Sequence, residues 1–234
     1  VTDQAGIQFR MLNRSSGEAV QAPRAQADRD IYRDCMQAEL ASIENLDVLD
    51  RSVEDLYLDE SDRNVRGVID DKGEIIHSDR VVLTTGTFLG GIVHIGPKSY
   101  PAGRHRRDND EVEAPSTGLA ATLERLEFPL GRLSTGTPPR IDGNTVDYDD
   151  GPLLEQPSEE IPVPMSYMNW EKGVALKDRL VSCYQTRTNA RTHEIVRENF
   201  HLLPKFRQEG KVKTPRYCPS IETKLKRFPD RDDF

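Results

Sequence analysis

Hydrophobic and polar positions near the start of the chain follow a helical period. Between residues 22 and 45, apolar side chains recur every three or four positions with charged residues between them. The apolar positions are Ile31, Tyr32, Cys35, Met36, Leu40 and Ile43. This spacing predicts an amphipathic helix of about six turns that buries one face and places Cys35 in the core.

The pattern then changes to short β-type runs at residues 53–58, 65–69 and 74–77. The last two runs are joined by the turn-forming residues 70–73 (DDKG), which predicts a β-hairpin. Residues 81–83 are apolar at consecutive positions and lead into Gly86. We therefore predict a strand buried on both faces that ends in a binding loop.

The second half of the chain alternates between loops and short helices. Residues 96–115 are polar and rich in glycine and proline, which predicts a surface excursion, and prolines recur between 131 and 168, where little regular structure is expected. Ser116 is predicted to cap a short helix. The apolar stripe of that helix is Leu119, Leu123 and Leu126. Two further helices are predicted, from Thr188 or Asn189 to about Phe200 and from Ser220 to Phe228.

Charge is distributed unevenly along this acidic chain, whose net charge is −8. Residues 177–234 contain 14 Lys and Arg against 8 Asp and Glu, a local charge of +6. Such a basic segment is typical either of phosphate contacts or of a solvated face. Hydrophobic residues make up only 35% of the chain and no apolar run reaches 18 residues, so we expect no membrane span, and the first residues do not resemble a signal peptide.

Candidate chemistry rests on one cysteine and two glycine-rich segments. Cys218 lies close to Arg216 and just before a predicted helix N-terminus, and both features favour a thiolate, although a buried structural thiol fits the same position. Cys183 alternates like a core strand residue, and the absence of a CxxC pair favours a reducing compartment. The five histidines show no metal-binding spacing, so no metal site is predicted. Glycines at 86, 90, 91, 131 and 136 would let backbone amides approach a phosphate or a flavin ring.

Four blocks, in order and over nearly the whole chain, resemble the MnmG/GidA family of tRNA-modifying flavoenzymes. They are DQAGIQFRMLNRSSGEAVQAPRAQADRDIY (3–32), VVLTTGTFLGGIVHIG (81–96), GRLSTGTPPRID (131–142), and CYQTRTNARTHEIV (183–196) with PRYCPSIETKLKRF (215–228). The resemblance implies an α/β fold: part of a glutathione-reductase-like FAD-binding domain with an inserted nicotinamide-binding domain. On this basis residues 1–95 belong to the FAD-binding domain, and residues 96–234 to the second domain with a return to the first. The family's GxGxxG loop and C-terminal helical region have no counterpart in this sequence, so we expect an internal fragment that is inactive alone.

The resemblance also implies ligand-binding residues. Val53 matches the family's adenine-side FAD contact, and Ser116 matches a second FAD contact, although the loop before Ser116 is longer and more charged than usual. Residues 214–228 match the segment assigned to the nicotinamide nucleotide, with Thr214 in place of glycine and Thr223 in place of aspartate. The members of this segment are Thr214, Pro215, Arg216, Tyr217, Cys218, Pro219, Ser220, Ile221, Glu222, Thr223, Lys224, Leu225, Lys226, Arg227 and Phe228.

The chemistry implied by the resemblance takes place at carbon 5 of the wobble uridine of tRNA. Cys218 matches a catalytic cysteine, and a thiolate that adds to carbon 6 of uracil would activate carbon 5. FAD, NADH and methylenetetrahydrofolate, the one-carbon donor, are the implied cofactors. The product carries a carboxymethylaminomethyl or taurinomethyl group.

The implied partners are the tRNA anticodon loop, an MnmE-type GTPase and a second copy of the chain, with no membrane contact. The charged segment around residues 105–113 favours a mitochondrial homologue over a cytoplasmic bacterial one. Two alternatives remain open at this point: a folate- and FAD-dependent tRNA uridine methyltransferase, and a non-catalytic truncated remnant.

Overall fold

The computed structural model describes residues 1–61, 64–104, 111–134, 136, 138–149, 151–175, 177–203 and 220–234. The chain forms two compact units that interleave along the sequence. Unit 1 contains Val1–Val48 and Ile141–Arg187, and unit 2 contains Leu49–Arg140 and Thr188–Phe234. The division into residues 1–95 and residues 96–234, with a return to the first domain, stays a prediction. Which unit corresponds to the FAD-binding or the nicotinamide-binding domain stays a prediction.

Unit 1 is built on two antiparallel strand pairs. β1 (Gly6–Leu12) pairs with β2 (Ala22–Ala27), and β8 (Leu154–Gln156) pairs with β9 (Cys183–Gln185). Helices α1 (Thr2–Ala5) and α2 (Arg29–Ala41) complete the regular structure. The short 3-10 turns of this unit are Arg14–Ser16, Glu18–Val20, Gly143–Thr145, Tyr167–Asn169 and Lys177–Arg179.

A buried carboxylate holds unit 1 together. Asp3 is 3% exposed and accepts hydrogen bonds from the backbone N–H groups of Met165 and Ser166 and from the Asn169 side chain. Burial alone would raise the pKa of Asp3, but these three donors together lower it below its ordinary value. Around it Ala5, Phe9 and Val174 form the small apolar core.

The predicted helix over residues 22–45 is correct only in its middle. Residues 22–27 instead form β2, and α2 begins after Asp28, whose carboxylate accepts from the N–H groups of Asp30 and Ile31. A cap of this kind satisfies the first free donors of a helix and fixes its start. No residue of α2 is buried, and Cys35 is half-buried, so its predicted core position is wrong. Cys183, predicted to be a core strand residue, does lie in β9 but is only half-buried.

Unit 2 contains the predicted β-hairpin. β3 (Val53–Leu58), β4 (Val65–Asp70) and β5 (Ile75–His77) form one antiparallel sheet, so the three sequence-predicted runs and the hairpin turn are confirmed. A second hairpin joins β6 (Ile92–Ile95) to β7 (Lys98–Pro101), and β7 lies in the region 96–115 where the sequence predicted a surface excursion.

The predicted buried strand at residues 81–83 is wrong. These residues have no regular structure, and Val82 is 84% exposed. A β-strand forms where a neighbouring strand supplies partners for its backbone hydrogen bonds. No described strand pairs with residues 81–83.

The helices that the described residues of unit 2 form are α3 (Gly118–Arg125), α4 (Ala190–Glu198) and α5 (Ile221–Arg227). The Asn189 side chain caps α4 by accepting from Thr192 N–H, as predicted for one of two candidates. The residue at the N-cap of α3 is Thr117 rather than the predicted Ser116. A 3-10 turn, Phe200–Leu202, follows α4. No helix in the described ranges is both long and apolar enough to cross a membrane.

Asp70 ties the β4–β5 turn to the segment before β3. Its side chain is fully buried and accepts from the N–H groups of Lys72 and Glu74 and from the Arg51 guanidinium, at 3.0, 2.8 and 2.8 Å. Burial would raise the pKa of Asp70, but these donors outweigh it and the pKa is lowered.

Acid should therefore weaken unit 2 through Asp70. Because the folded-state pKa lies below the unfolded value of about 3.9, the stabilisation is full above that value and is lost as pH falls through the folded pKa. We expect Asp70→Asn to lower the urea midpoint at pH 7 and to reduce its fall on acidification. Asp71→Asn, next to it and exposed, is the control. Equal midpoints for the two variants at pH 7 would contradict this account.

Candidate functional site

The N-terminal end of α3 lies directly on β3. A Cβ atom built on Gly118 would lie 2.5 Å from the backbone carbonyl oxygen of Glu54, so only glycine permits this approach. One turn later the Thr122 hydroxyl donates to the Asp55 carboxylate, which also accepts from Arg125 at 3.3 Å. Val53 is the first residue of β3, and Ser116 lies two residues before α3. These two residues are far apart in sequence, but the segments that they begin contact each other.

The first glycine-rich segment, residues 86–91, contacts the chain just before α3. The N–H of Gly90 donates to the Ser116 carbonyl at 2.8 Å, and Leu89 forms a parallel bridge with Ser116. The second segment reaches it through Arg132, whose guanidinium donates to the Gly90 carbonyl at 2.8 Å. We call this set, Val53, residues 86–91, Ser116, Gly118 and Arg132, the glycine junction.

The glycine junction exposes backbone at one of its glycines. Gly86 and Gly90 have φ angles of 65° and 53°, a left-handed conformation that glycine adopts without strain. A Cβ built on Gly86 would meet no atom within 4 Å, so the backbone there is open to a ligand. Val53 and Ser116 are half-buried beside it. Small residues, exposed backbone and one apolar side chain are what a dinucleotide edge requires.

The predicted nicotinamide segment is described only from Ser220 onward. Residues 214–219, including Arg216 and Cys218, lie outside the described ranges. Leu225 is buried in α5, where it serves the core. Lys224 and Lys226 lie over the rings of Phe234 and Phe200, at 5.3 and 5.0 Å, as cation–π contacts. The Ser220 hydroxyl lies 3.2 Å from that of Thr223, the residue that replaces the family's aspartate.

Sequence reasoning missed the structural role of His193. This histidine is 2% exposed, and its Nε2 lies 2.7 Å from the Thr188 hydroxyl. Thr188 in turn accepts from the N–H of Phe234, whose carbonyl accepts from the N–H of Thr188. The position of His193, one helical turn after the Asn189 cap, was the sequence signal from which this role could have been predicted. Within the described residues, no three His, Cys, Asp or Glu side chains are grouped to hold a metal ion.

A protein-family model described as "Glucose inhibited division protein A" matches residues 1–233. The chain belongs to this family. The GidA family was inferred above from four sequence blocks, and the match over almost the entire chain confirms that resemblance.

Two solved structures of GidA from Aquifex aeolicus are also similar. The form I crystal structure is 38% identical, with a TM-score of 0.81 over 98% of this chain, and the form II structure is 38% identical, with a TM-score of 0.80 over 99%. These matches show a GidA-type α/β fold. The chain spans 37% and 35% of the lengths of the two GidA chains.

Proposed function

We propose that the full-length GidA-family protein carrying this chain is an FAD-dependent enzyme that modifies carbon 5 of the wobble uridine of tRNA. Family membership supports the reaction class. The observation that carries the proposal is the glycine junction, because the segments that begin at Val53 and Ser116, the residues that resemble FAD contacts, contact each other there, and both glycine-rich segments join them.

Within this proposal, the junction holds the adenine side of FAD. Val53 supplies an apolar surface at the start of β3, and the open backbone at Gly86 lets the cofactor approach closely. When bound, FAD supplies the redox chemistry that delivers the one-carbon unit. Arg132 fixes the loop that carries Gly90 through its hydrogen bond.

Cys218 is proposed as the nucleophile that prepares uracil. Its thiolate forms a bond to carbon 6, and the electron pair of the 5,6 double bond moves onto the ring so that carbon 5 becomes nucleophilic. After carbon 5 has formed its new bond, loss of its proton returns the electron pair and expels the thiolate. Arg216, two residues earlier, favours the thiolate by its positive charge.

The finer parts of the proposal follow the family resemblance. NADH reduces the flavin, methylenetetrahydrofolate provides the one-carbon unit, and residues 214–228 contact the nicotinamide nucleotide. The new group is of the carboxymethylaminomethyl or taurinomethyl type. An MnmE-type GTPase and a second copy of the protein are the proposed partners, and mitochondria the proposed location.

Flavin content of purified protein tests the proposed cofactor site. Val53→Glu places a charge on the half-buried side chain at the start of β3 and should lower bound FAD at least about tenfold, since an unpaired charge in an apolar contact is costly. Val65→Glu is the control: it makes the same change on a half-buried residue of β4 that pairs with Leu58, at the other end of the β3–β4 strand pair. Its flavin content should stay near the parental level. Equal flavin loss in both variants, or loss in neither, would overturn the assignment.

A further inference from the structure

An arginine-lined groove in unit 1 is separate from the residues of the glycine junction. Its cavity has a volume of about 40 Å³ and is lined by Arg10, Arg14, Arg24, Glu159, Ile161 and Val163, over a floor that includes Phe9. Three guanidinium groups and one carboxylate leave a net positive charge. At roughly 10–15 Å³ for each water, the cavity has room for a small tetrahedral anion.

The strand register concentrates this charge. Arg10 of β1 stands directly opposite Arg24 of β2. Like charges placed opposite each other in an antiparallel pair destabilise the sheet unless something neutralises them.

Glu159 offsets part of this charge, since the Met11 N–H and the guanidinium groups of Arg14 and Arg10 lower the pKa of its carboxyl. Arg14 forms an ion pair of 2.8 Å with Glu159. Arg10 donates a hydrogen bond to the neutral Gln156 side chain at 2.6 Å. Within the described ranges Arg24 has no ion pair and no side-chain hydrogen bond. The groove therefore carries more positive than negative charge, and Arg10 and Arg24 lie side by side in it.

The chain segment that forms one wall of the groove continues into an exposed aromatic pair. Tyr167 and Trp170 are 91% and 62% exposed, and their rings stack with centroids 6.4 Å apart. Tyr167 is four residues beyond Val163, so it lies within about 14 Å of the groove along the chain. Positive grooves beside exposed aromatic side chains are typical of single-stranded nucleic acid sites, where phosphates and bases are bound separately.

We propose that Arg10 and Arg24 bind a backbone phosphate of single-stranded RNA while Tyr167 and Trp170 stack on a neighbouring base. This inference rests on the proposed tRNA substrate but concerns residues other than those proposed for FAD binding and for the thiolate chemistry. Arg14 adds positive charge to the groove and forms an ion pair with Glu159.

Fluorescence anisotropy with an anticodon stem-loop RNA at several salt concentrations tests this proposal in the full-length protein. Arg10→Gln combined with Arg24→Gln should weaken binding about tenfold or more and reduce the salt slope of log K by about 0.7, the value for one phosphate on a single strand. Arg24→Gln alone should show part of both effects without disturbing the Arg10–Gln156 bond. Tyr167→Ala combined with Trp170→Ala should weaken binding about tenfold with an unchanged slope.

Arg29→Gln combined with Arg33→Gln removes the same charge from α2, which does not line the groove, and serves as the control. Parental RNA affinity in the Arg10/Arg24 variant, or an equal loss in the control, would overturn the proposal.

ADP and inorganic phosphate are the competing probes. A larger loss of ADP affinity than of RNA affinity in the Arg10/Arg24 variant would assign the groove to a nucleotide phosphate and would also overturn the proposal. Normal flavin content with lost RNA binding separates this result from a failure of the cofactor assignment.

Discussion

Cys218→Ser should abolish formation of the modified wobble base in the full-length protein assayed with the proposed GTPase partner. Serine keeps the size of the side chain but is a far weaker nucleophile near neutral pH, so addition to carbon 6 of uracil fails. Loss of a nucleophile generally lowers turnover by orders of magnitude, and we expect a decrease of at least about a hundredfold. Flavin content and tRNA binding should be unchanged, since neither depends on the thiolate.

Cys183→Ser is the matched control for this prediction. The Cys183 sulfur accepts a hydrogen bond from Gln26 at 3.1 Å, and a serine hydroxyl can accept the same bond. This control should modify tRNA at close to the parental rate, as measured by nucleoside mass spectrometry. If Cys218→Ser were as active as Cys183→Ser, Cys218 would be a structural residue and the proposed role would be wrong.

Gly118→Ala should destabilise the packing of α3 on β3 and lower flavin content with it. The added methyl group would lie 2.5 Å from the Glu54 carbonyl oxygen and 3.2 Å from its carbonyl carbon. These are backbone atoms that cannot move without shifting β3, so the helix must move away. Overpacking of this kind costs about 1–3 kcal/mol, and the contact that brings Ser116 toward Val53 is the one disturbed.

Gly131→Ala provides the comparison for this substitution. A Cβ at Gly131 meets nothing within 4 Å, and its φ angle is an ordinary one for any residue. Thermal unfolding should therefore give a near-parental midpoint for Gly131→Ala and a clearly lower one for Gly118→Ala. Equal midpoints and equal flavin contents would show that the α3–β3 contact does not support the junction.

The extent to which sequence predicted the fold depended on local signals. The hairpin β4–β5 was predictable because residues 70–73 carry turn chemistry between two apolar runs. The pair β1–β2 was missed although Ile7, Phe9 and Met11 alternate with Gln8 and Arg10, because the helical spacing after residue 30 was extended back over the residues that form β2. Residues 81–83 have a strand's composition, but pairing partners, which composition cannot supply, decide whether a strand forms.

The candidate site was predictable only in part for a similar reason. Resemblance to the GidA family pointed to Val53 and Ser116, and glycine patterns pointed to the two loops beside them. The contacts that join these segments, Gly118 against Glu54 and Arg132 on Gly90, are made between residues distant in sequence. Nothing at Gly118 or Arg132 alone distinguishes them from an ordinary helix start or surface arginine.

Mass spectrometry of the wobble nucleoside tests the central claim most directly. Full-length protein, purified with its flavin, is incubated with unmodified tRNA, the GTPase partner, NADH, methylenetetrahydrofolate and an amine such as glycine or taurine. We predict an aminomethyl-type group on carbon 5 of the wobble uridine, and none when the flavin is removed. A flavin-loaded protein that leaves the wobble uridine unchanged, or that only adds a methyl group to a uridine elsewhere in the tRNA, would contradict the account.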